Sequence, residues 1–213
     1  MKKAIIFDCD GVLRTFSWQG IYKAYCAIGE YCGVDFTTEC PSVDVLRVKY
    51  SHDWRRNLTM MGVHNTAQYP KINEIFRDEY FTTIEMFAWV PEILEQLACK
   101  YIVAVYSNSS AESVVSSLGS VAENCDMVIG CDEVKDLKPA PEGIFKIMKA
   151  FDLESVHTIM VGDSDVDIAA GKNAGITTAL VTWGAVDTQE EIDTISACKV
   201  LHSPRELLTL FDN

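Results

Sequence analysis

The sequence predicts an α/β fold: a parallel sheet flanked by helices, with an all-helical segment inserted after the first strand. Three observations predict it. From Val90 onward, short apolar runs ending in polar residues alternate with amphipathic helical stretches, the rhythm of strand–helix–strand crossovers. One such run, Lys3 to Phe7, stands alone near the start. Between Trp18 and about Phe87 nothing reads as a strand, while apolar residues recur three and four apart.

The elements follow in order. Lys3 to Phe7 is a buried strand, apolar on both faces, stopping at Asp8. Ile21, Tyr22, Tyr25, Ile28 and Tyr31 form one helical stripe, and Gly33 is its C-terminal stop. Pro41 opens a second helix running to about Met61, before Gly62. Ile72, Ile75, Phe76 and Tyr80 mark a third. Pro91 opens a helix with Ile93, Leu94 and Leu97 on one face; Tyr101 to Tyr106 is a strand ending at Ser107. Residues 111–118 are helical and Met127 to Ile129 a short strand. Pro141 opens a helix to about Phe151, His157 to Val161 is a strand ending at Gly162-Asp163, and residues 166–174 are a helix closed by Gly175. Thr177 to Thr182 is a strand. Thr188 with Glu191, and Ser203 with Pro204 and Glu206, read as helix starts with capping boxes. The expected division is an α/β core of residues 1–13 and 89–213 with a helical insertion of residues 14–88.

Composition narrows the function. Of 213 residues 48% are hydrophobic and 23% charged, which excludes global disorder. No run approaches the ~18 apolar residues of a membrane span. The apolar stretch after Met1-Lys2-Lys3 is only Ala4 to Phe7, too short for an export signal, so a cytoplasmic location is expected. Eighteen basic against 31 acidic residues give a net charge of −13, which disfavours nucleic acid and anionic membranes as partners. A phosphorylated small molecule is repelled too, unless a cation or a local positive site reverses the field. Oligomeric state, monomer or homodimer, is not readable. Eight cysteines, none in a C-x-x-C pair, read as reduced thiols serving mostly as small core hydrophobes.

In parallel α/β sheets, ligands gather beyond the carboxyl ends of the strands. Polar groups stand at four such places: Asp8-Cys9-Asp10-Gly11, Ser107-Asn108, Lys138-Pro139, and Gly162-Asp163-Ser164 with Asp167. Converging carboxylates repel, at about 4 kcal/mol per pair for 4 Å and an effective dielectric near 20. A divalent cation removes that cost, and Mg²⁺ suits a site that also holds phosphate. Lys138 adds a fixed positive charge, and Ser107 with nearby backbone N–H groups offers donors to phosphate oxygens. Cys9, between the two acids, is expected to face the core.

These segments, in this order, resemble the haloacid dehalogenase superfamily over nearly the whole chain, specifically its phosphatases with a helical cap. Residues 161–168 and 173–176 look much like phosphoglycolate-phosphatase-like members. The resemblance implies a Rossmann-like core with an inserted helical cap, and Mg²⁺-dependent hydrolysis of a small phosphate monoester (phosphoglycolate-like, a sugar phosphate or a nucleotide) through an aspartyl-phosphate. It implies that Asp8 attacks phosphorus and that Asp10 protonates the leaving oxygen, then deprotonates water. It also implies that Asp8, Asp163 and the Asp10 carbonyl hold Mg²⁺, that Ser107 and Asn108 hold the phosphoryl group, and that Lys138, steadied by Asp167, offsets charge. Asp10 separates the chain from the dehalogenase members, which lack an acid there. A phosphomutase of the same fold and a non-catalytic phosphate-binding homologue are the alternatives. Two departures from the family pattern lie at the cap hinges: Arg14-Thr15 where an Asp-Ser or Asp-Thr pair is usual, and Trp89-Val90-Pro91 where Pro-Gly-Val is common. Arg14, and the cluster Arg47, Lys49, His52, Arg55 and Arg56, are either solvated charges or greet a second anionic group on the substrate.

Overall fold

The computed structural model describes residues 2–184 and 188–212, the Glu191 side chain excepted. The chain divides into two compact units, Met1–Phe16 with Met86–Asn213, and Ser17–Glu85.

The first unit is built on six parallel strands: β1 (Ala4–Phe7), β2 (Ile102–Tyr106), β3 (Met127–Ile129), β4 (Thr158–Gly162), β5 (Thr177–Val181) and β6 (Lys199–Leu201). Their spatial order is β3-β2-β1-β4-β5-β6. Side chains alternate across the sheet and both faces are covered. Ile5, Phe7, Val103, Val105, Ile159 and Val161 join one core, and Ala4, Ile6, Ala104, Tyr106 and Met160 the other. Burial on both faces is why the strands read as continuous apolar runs. From β1 the chain builds outward through β2 and β3, then returns to β4 on the other side of β1. The loops after β1 and β4 therefore diverge at a topological switch point, where a ligand crevice belongs. Phe7 lies opposite both Val105 and Val161, so Asp8 emerges level with the ends of β2 and β4.

β6 lies outside the elements expected from the sequence. It is three residues long, half-buried except for Leu201, and forms by edge pairing with β5, a tertiary effect that leaves no apolar pattern.

In the second unit, α1 (Trp18–Cys32) is capped by Ser17, whose Oγ accepts the Gly20 N–H at 3.0 Å, and ends at Gly33. The single helix expected from Pro41 to Met61 is instead broken. After the short α2 (Phe36–Glu39) come α3 (Val43–Lys49) and α4 (Trp54–Met60), with Tyr50 extended between them. Asn57 makes the break. Its side chain folds back to accept the Ser51 N–H and donate to the Ser51 carbonyl, both at 2.8 Å, and also donates to the Tyr25 hydroxyl. Asp53 then caps α4. Polar side chains that bond the backbone locally compete with helix propagation. Pro41 lies outside α3, whose N-cap is Ser42. α5 (Tyr69–Tyr80) packs against α1.

Back in the first unit come α6 (Val90–Ala98), α7 (Ala111–Leu118), α8 (Glu142–Phe151), α9 (Asp165–Asn173) and α10 (Gln189–Ile195). The Thr188 carbonyl accepts the Ile192 N–H at the start of α10; the expected capping box with Glu191 lies outside the described residues. The segment after Ser203 is a 3-10 helix, Pro204–Thr209. Ser203 Oγ accepts from Arg205, while Glu206 reaches back to the His202 N–H, one residue before the expected box partner.

The cysteines correct one expectation. Only Cys9 and Cys40 are buried; Cys99 and Cys198 are exposed and the other four half-buried. Most sit at helix ends and in loops, where the core does not reach them.

Candidate active site

The turn after β1 is tight. The Cys9 carbonyl accepts from Val12, Leu13 and Arg14 at 3.3, 2.9 and 3.1 Å, and Gly11 donates to the Arg14 carbonyl at 2.8 Å. Gly11 takes φ +78°, open to glycine at no steric cost. Cys9 is fully buried in the core with Val12 and Leu13, as the sequence led us to expect, and burial pushes its thiol up to about 12.

Asp8 and Lys138 form the centre. Lys138 Nζ lies 2.5 Å from Asp8 Oδ1 and 2.6 Å from Asp167 Oδ1, and all three side chains are buried. Burial opposes the lysine charge, but the two carboxylates overcome that and hold its pKa above the ordinary value. Burial pushes Asp8 up to about 7, with Lys138 pulling the other way. Asp167 is anchored in turn: its Oδ2 accepts from Ser164 N at 3.2 Å and Ser164 Oγ at 2.5 Å, the capping box that starts α9. Gly162 makes room for it, because a Cβ there would stand 2.1 Å from Asp167 Cβ. Tyr106 floors the lysine, its ring centre 5.5 Å from Nζ.

Asn108 braces this lysine from behind. Its Oδ1 accepts the Lys138 N–H at 3.0 Å and its Nδ2 donates to the Lys138 carbonyl at 3.4 Å. Its side chain thus holds the Lys138 peptide. Ser107 is buried at the end of β2, its Oγ accepting the Ser109 N–H at 3.1 Å. Ser109, which sequence reasoning passed over, donates its hydroxyl to Asp10 Oδ2 at 3.0 Å.

Asp10 pairs with Arg14. Arg14 Nε and Nη2 each donate at 2.9 Å, one to each Asp10 oxygen. Arg14 is 1% exposed, so it is neither of the things expected of it, a solvated charge or a greeter of the substrate's second anion. The turn folds it inward onto Asp10. The other basic residues weighed with it are all exposed on their own unit. Lys49 pairs with Glu39, while Arg47 and Arg55 lie over the rings of Trp18 and Trp54. That is the solvated-face arrangement.

Asp163 completes the cluster from the end of β4. It is buried, and Gly11 and Gly184 pack so close that a Cβ on either would meet its Oδ2 at 1.8 and 2.4 Å. The structure thus gathers Asp8, Lys138, Asp163 and Asp167, with Asn108 behind the lysine, and joins Asp10 through Ser109 to Ser107.

The model of the haloacid dehalogenase-like hydrolases matches residues 5–181, the span that holds every one of these groups. The chain belongs to this family. Within the haloacid dehalogenase-like hydrolases it stands among phosphatases. It is 31% identical over 229 residues to a phosphoglycolate phosphatase of Aquifex aeolicus (strain VF5), covering 99% of this chain and 97% of that one. It is also 31% identical over 222 residues to the pyrophosphatase PpaX of Halalkalibacterium halodurans, covering 97% and 95%. A solved subfamily IA hydrolase of the same superfamily, from Geobacter sulfurreducens PCA, shares the fold with a TM-score of 0.71. Its identity is 22%, over 99% of this chain and 100% of that one.

The donor set of this hydrolase fits a divalent cation. Asp8, Asp163 and Asp167 each bring an oxygen within 4.8 Å of the others, all buried. Among these described residues four carboxylates meet two cations, Lys138 and Arg14, which leaves two negative charges. One dication balances that excess, and an all-oxygen donor set favours a hard ion. Both Asp167 oxygens already accept from Lys138 and Ser164, which leaves Asp8 and Asp163 as the better-placed ligands. No helix is long and apolar enough to cross a membrane among the described residues.

Proposed function

We propose that this chain is a Mg²⁺-dependent phosphatase of the cytoplasm, which moves the phosphoryl group of a small phosphorylated metabolite to Asp8 and then to water. One observation carries the reading: Asp8, at the switch point, is buried 2.5 Å from Lys138 with Asp163 within reach. A carboxylate held so has a nucleophilic oxygen and a fixed cation beside it. Lys138 favours the charged form of Asp8 and offsets the charge of an incoming phosphoryl group. Asp167 and Asn108 keep Lys138 in place, the first through its charge and the second through its hold on the peptide. Ser107 stands at the adjacent strand end as a donor to phosphoryl oxygens. Asp10, one turn on, serves the oxygens that leave and arrive. Asp8, Asp163 and the Asp10 carbonyl would hold Mg²⁺. Bound there, Mg²⁺ supplies Lewis acidity that offsets the negative charge of phosphoryl oxygens and Asp8. The names of the Aquifex and Halalkalibacterium relatives support a small anionic substrate. The eight free thiols fit a reducing compartment.

The purified chain is expected to release phosphate from 4-nitrophenyl phosphate with Mg²⁺ and to stop on addition of EDTA. Asp8→Asn is expected to be folded by circular dichroism and inert. Turnover by Asp8→Asn at a rate near wild type removes Asp8 as the nucleophile and ends this reading.

A further inference from the structure

The loop that follows β5 reaches back to the turn that follows β1. Trp183 Nε1 donates to the Val12 carbonyl at 3.2 Å. Val12, Leu13 and Arg14 all donate to the Cys9 carbonyl, which makes the turn one stiff piece. A hold on Val12 is therefore a hold on the segment that follows Asp8 and contains Asp10. The indole is itself fixed from behind. Trp89 meets it edge to face, 5.8 Å between ring centres. Phe87 stacks on Trp89 at 6.0 Å, and the Phe87 N–H donates to the Leu13 carbonyl at 3.1 Å. The next residue, Gly184, lies against both the turn and Asp163. A Cβ on it would stand 2.4 Å from Asp163 Oδ2 and 2.5 Å from the Gly11 carbonyl oxygen. Two consecutive residues thus join the turn after Asp8 to the acid at the end of β4.

We propose that Trp183 is a positioning residue: its indole N–H anchors the first turn to the β5 loop, and so holds Asp8 and the Asp10 carbonyl at the spacing from Asp163 that a divalent cation needs. This rests on the function proposed above. The physical reason is repulsion. Asp8 and Asp163 are both buried, and carboxylates drawn together push apart. A site free to spread must be reassembled before it binds an ion. An anchored turn is assembled on folding, before any ion arrives, which is the gain of preorganisation. An indole suits the task. It presents a single donor on a rigid ring, and it carries no charge to compete for the carboxylates or to repel a cation. Its effect passes through the Val12 peptide and the turn. The coupling runs both ways: what the hydrogen bond contributes to ion binding, ion binding contributes to the hydrogen bond.

The test measures Mg²⁺ binding by calorimetry, without substrate, on wild type, Trp183→Phe and Trp89→Phe. Trp183→Phe keeps a ring against Trp89 and removes the N–H. It is expected to bind Mg²⁺ about three- to tenfold more weakly, the worth of one hydrogen bond, and to regain near wild-type kcat on 4-nitrophenyl phosphate once Mg²⁺ saturates. Trp89→Phe alters the same aromatic group and spares that N–H, so it is expected to melt lower and to bind Mg²⁺ as wild type does. A Trp183 that served packing alone would lower melting in both variants and leave both affinities unmoved. Trp183→Phe with wild-type affinity overturns the proposal, as does an equal loss of affinity in both variants. Should Trp183→Phe fail to fold, the reciprocal effect is read in wild type. Among the signals of its four tryptophans, the Trp183 indole N–H is assigned by elimination with Trp18→Phe, Trp54→Phe and Trp89→Phe in ¹⁵N spectra. It is expected to exchange with solvent about three- to tenfold more slowly in Mg²⁺, and an unchanged rate overturns the proposal equally. A wild type that binds no Mg²⁺ removes the function proposed above together with this inference. A wild type that binds Mg²⁺ and turns over, beside a Trp183→Phe of equal affinity, removes this one alone.

Discussion

Substituting Gly11 by alanine tests the placement of Asp163 more sharply than removing Asp163 does, because the donor stays and only its position changes. The new Cβ would lie 1.8 Å from Asp163 Oδ2, and ordinary contact begins at 3.4 Å, so carboxylate or turn must give by the difference of 1.6 Å. The backbone adds strain, since φ is +78° and a left-handed non-glycine residue costs about 1–2 kcal/mol. Two further alanines separate these effects. Gly175 has φ +71° and nothing within 4 Å of its would-be Cβ, which leaves strain alone. Gly184 has no such φ, but its Cβ would meet Asp163 Oδ2 at 2.4 Å and the Gly11 carbonyl at 2.5 Å, which leaves displacement. Gly175→Ala is expected to melt roughly 2–8 °C lower, the shift for about 1–2 kcal/mol in a chain of this size, with full activity. Gly184→Ala and Gly11→Ala are expected to lose about 10²-fold in kcat, the usual cost of a 1 Å misplacement. Both are also expected to lose the rise in melting temperature that Mg²⁺ gives wild type. Melting curves with and without Mg²⁺, beside phosphate release, read both effects. A Gly11→Ala protein with wild-type turnover and wild-type Mg²⁺ stabilisation would refute the placement of Asp163 against the first loop.

Three other outcomes follow from the same geometry. Lys138→Met leaves Asp8 and Asp167 buried without their shared cation; denaturant melts are expected to show a loss of about 3–5 kcal/mol and phosphate assays a loss of at least about 10²-fold in kcat, and a variant as stable as wild type contradicts the buried pairing. Burial pushes Asp8 from 3.8 up to about 7 in the metal-free protein. The folded state then keeps a proton that the unfolded chain releases above about pH 4. Stability in EDTA, taken as wild type minus Asp8→Asn, should therefore fall as pH rises from about 4 to about 7 and level off beyond; a flat difference sinks the assignment. Hydrogen bonds from Thr178 hold the exposed Cys198 thiol below its ordinary pKa, while burial pushes Cys9 to about 12 and Cys125 to about 11. Alkylation of the native protein at pH 7, mapped by mass spectrometry, should modify Cys198 early and spare Cys9 and Cys125.

The sheet was readable because its strands are buried on both sides, so Ala4 to Phe7 and Ile102 to Tyr106 spell apolar runs that need no context. The acids were readable for an electrostatic reason. Asp8 and Asp163 each follow such a run directly, and carboxylates there need a partner. β6 was not readable, since Lys199–Leu201 is held by its neighbour β5 and not by a pattern of its own. The break between α3 and α4 depends on Asn57 turning back six residues to Ser51, a choice that periodicity cannot register. Asn108 and Ser109 show the same limit at the site. Their residue types announce hydrogen bonding, but only the folded loops decide that one braces Lys138 and the other meets Asp10.

Arg14 carries the point furthest. In the chain it is one charge among several near the helical insertion; in the fold it is the cation that answers Asp10, as Lys138 answers Asp8 and Asp167. The two acids at either end of the β1 turn thus have separate cations on separate supports, Lys138 held by Asn108 and Asp167, Arg14 held by Ser113 and Ser117. Coupling between mutations is large for residues that share partners and small for those that do not. A change at position 14 is therefore expected to disturb Asp10 more than the Asp8–Lys138 pair.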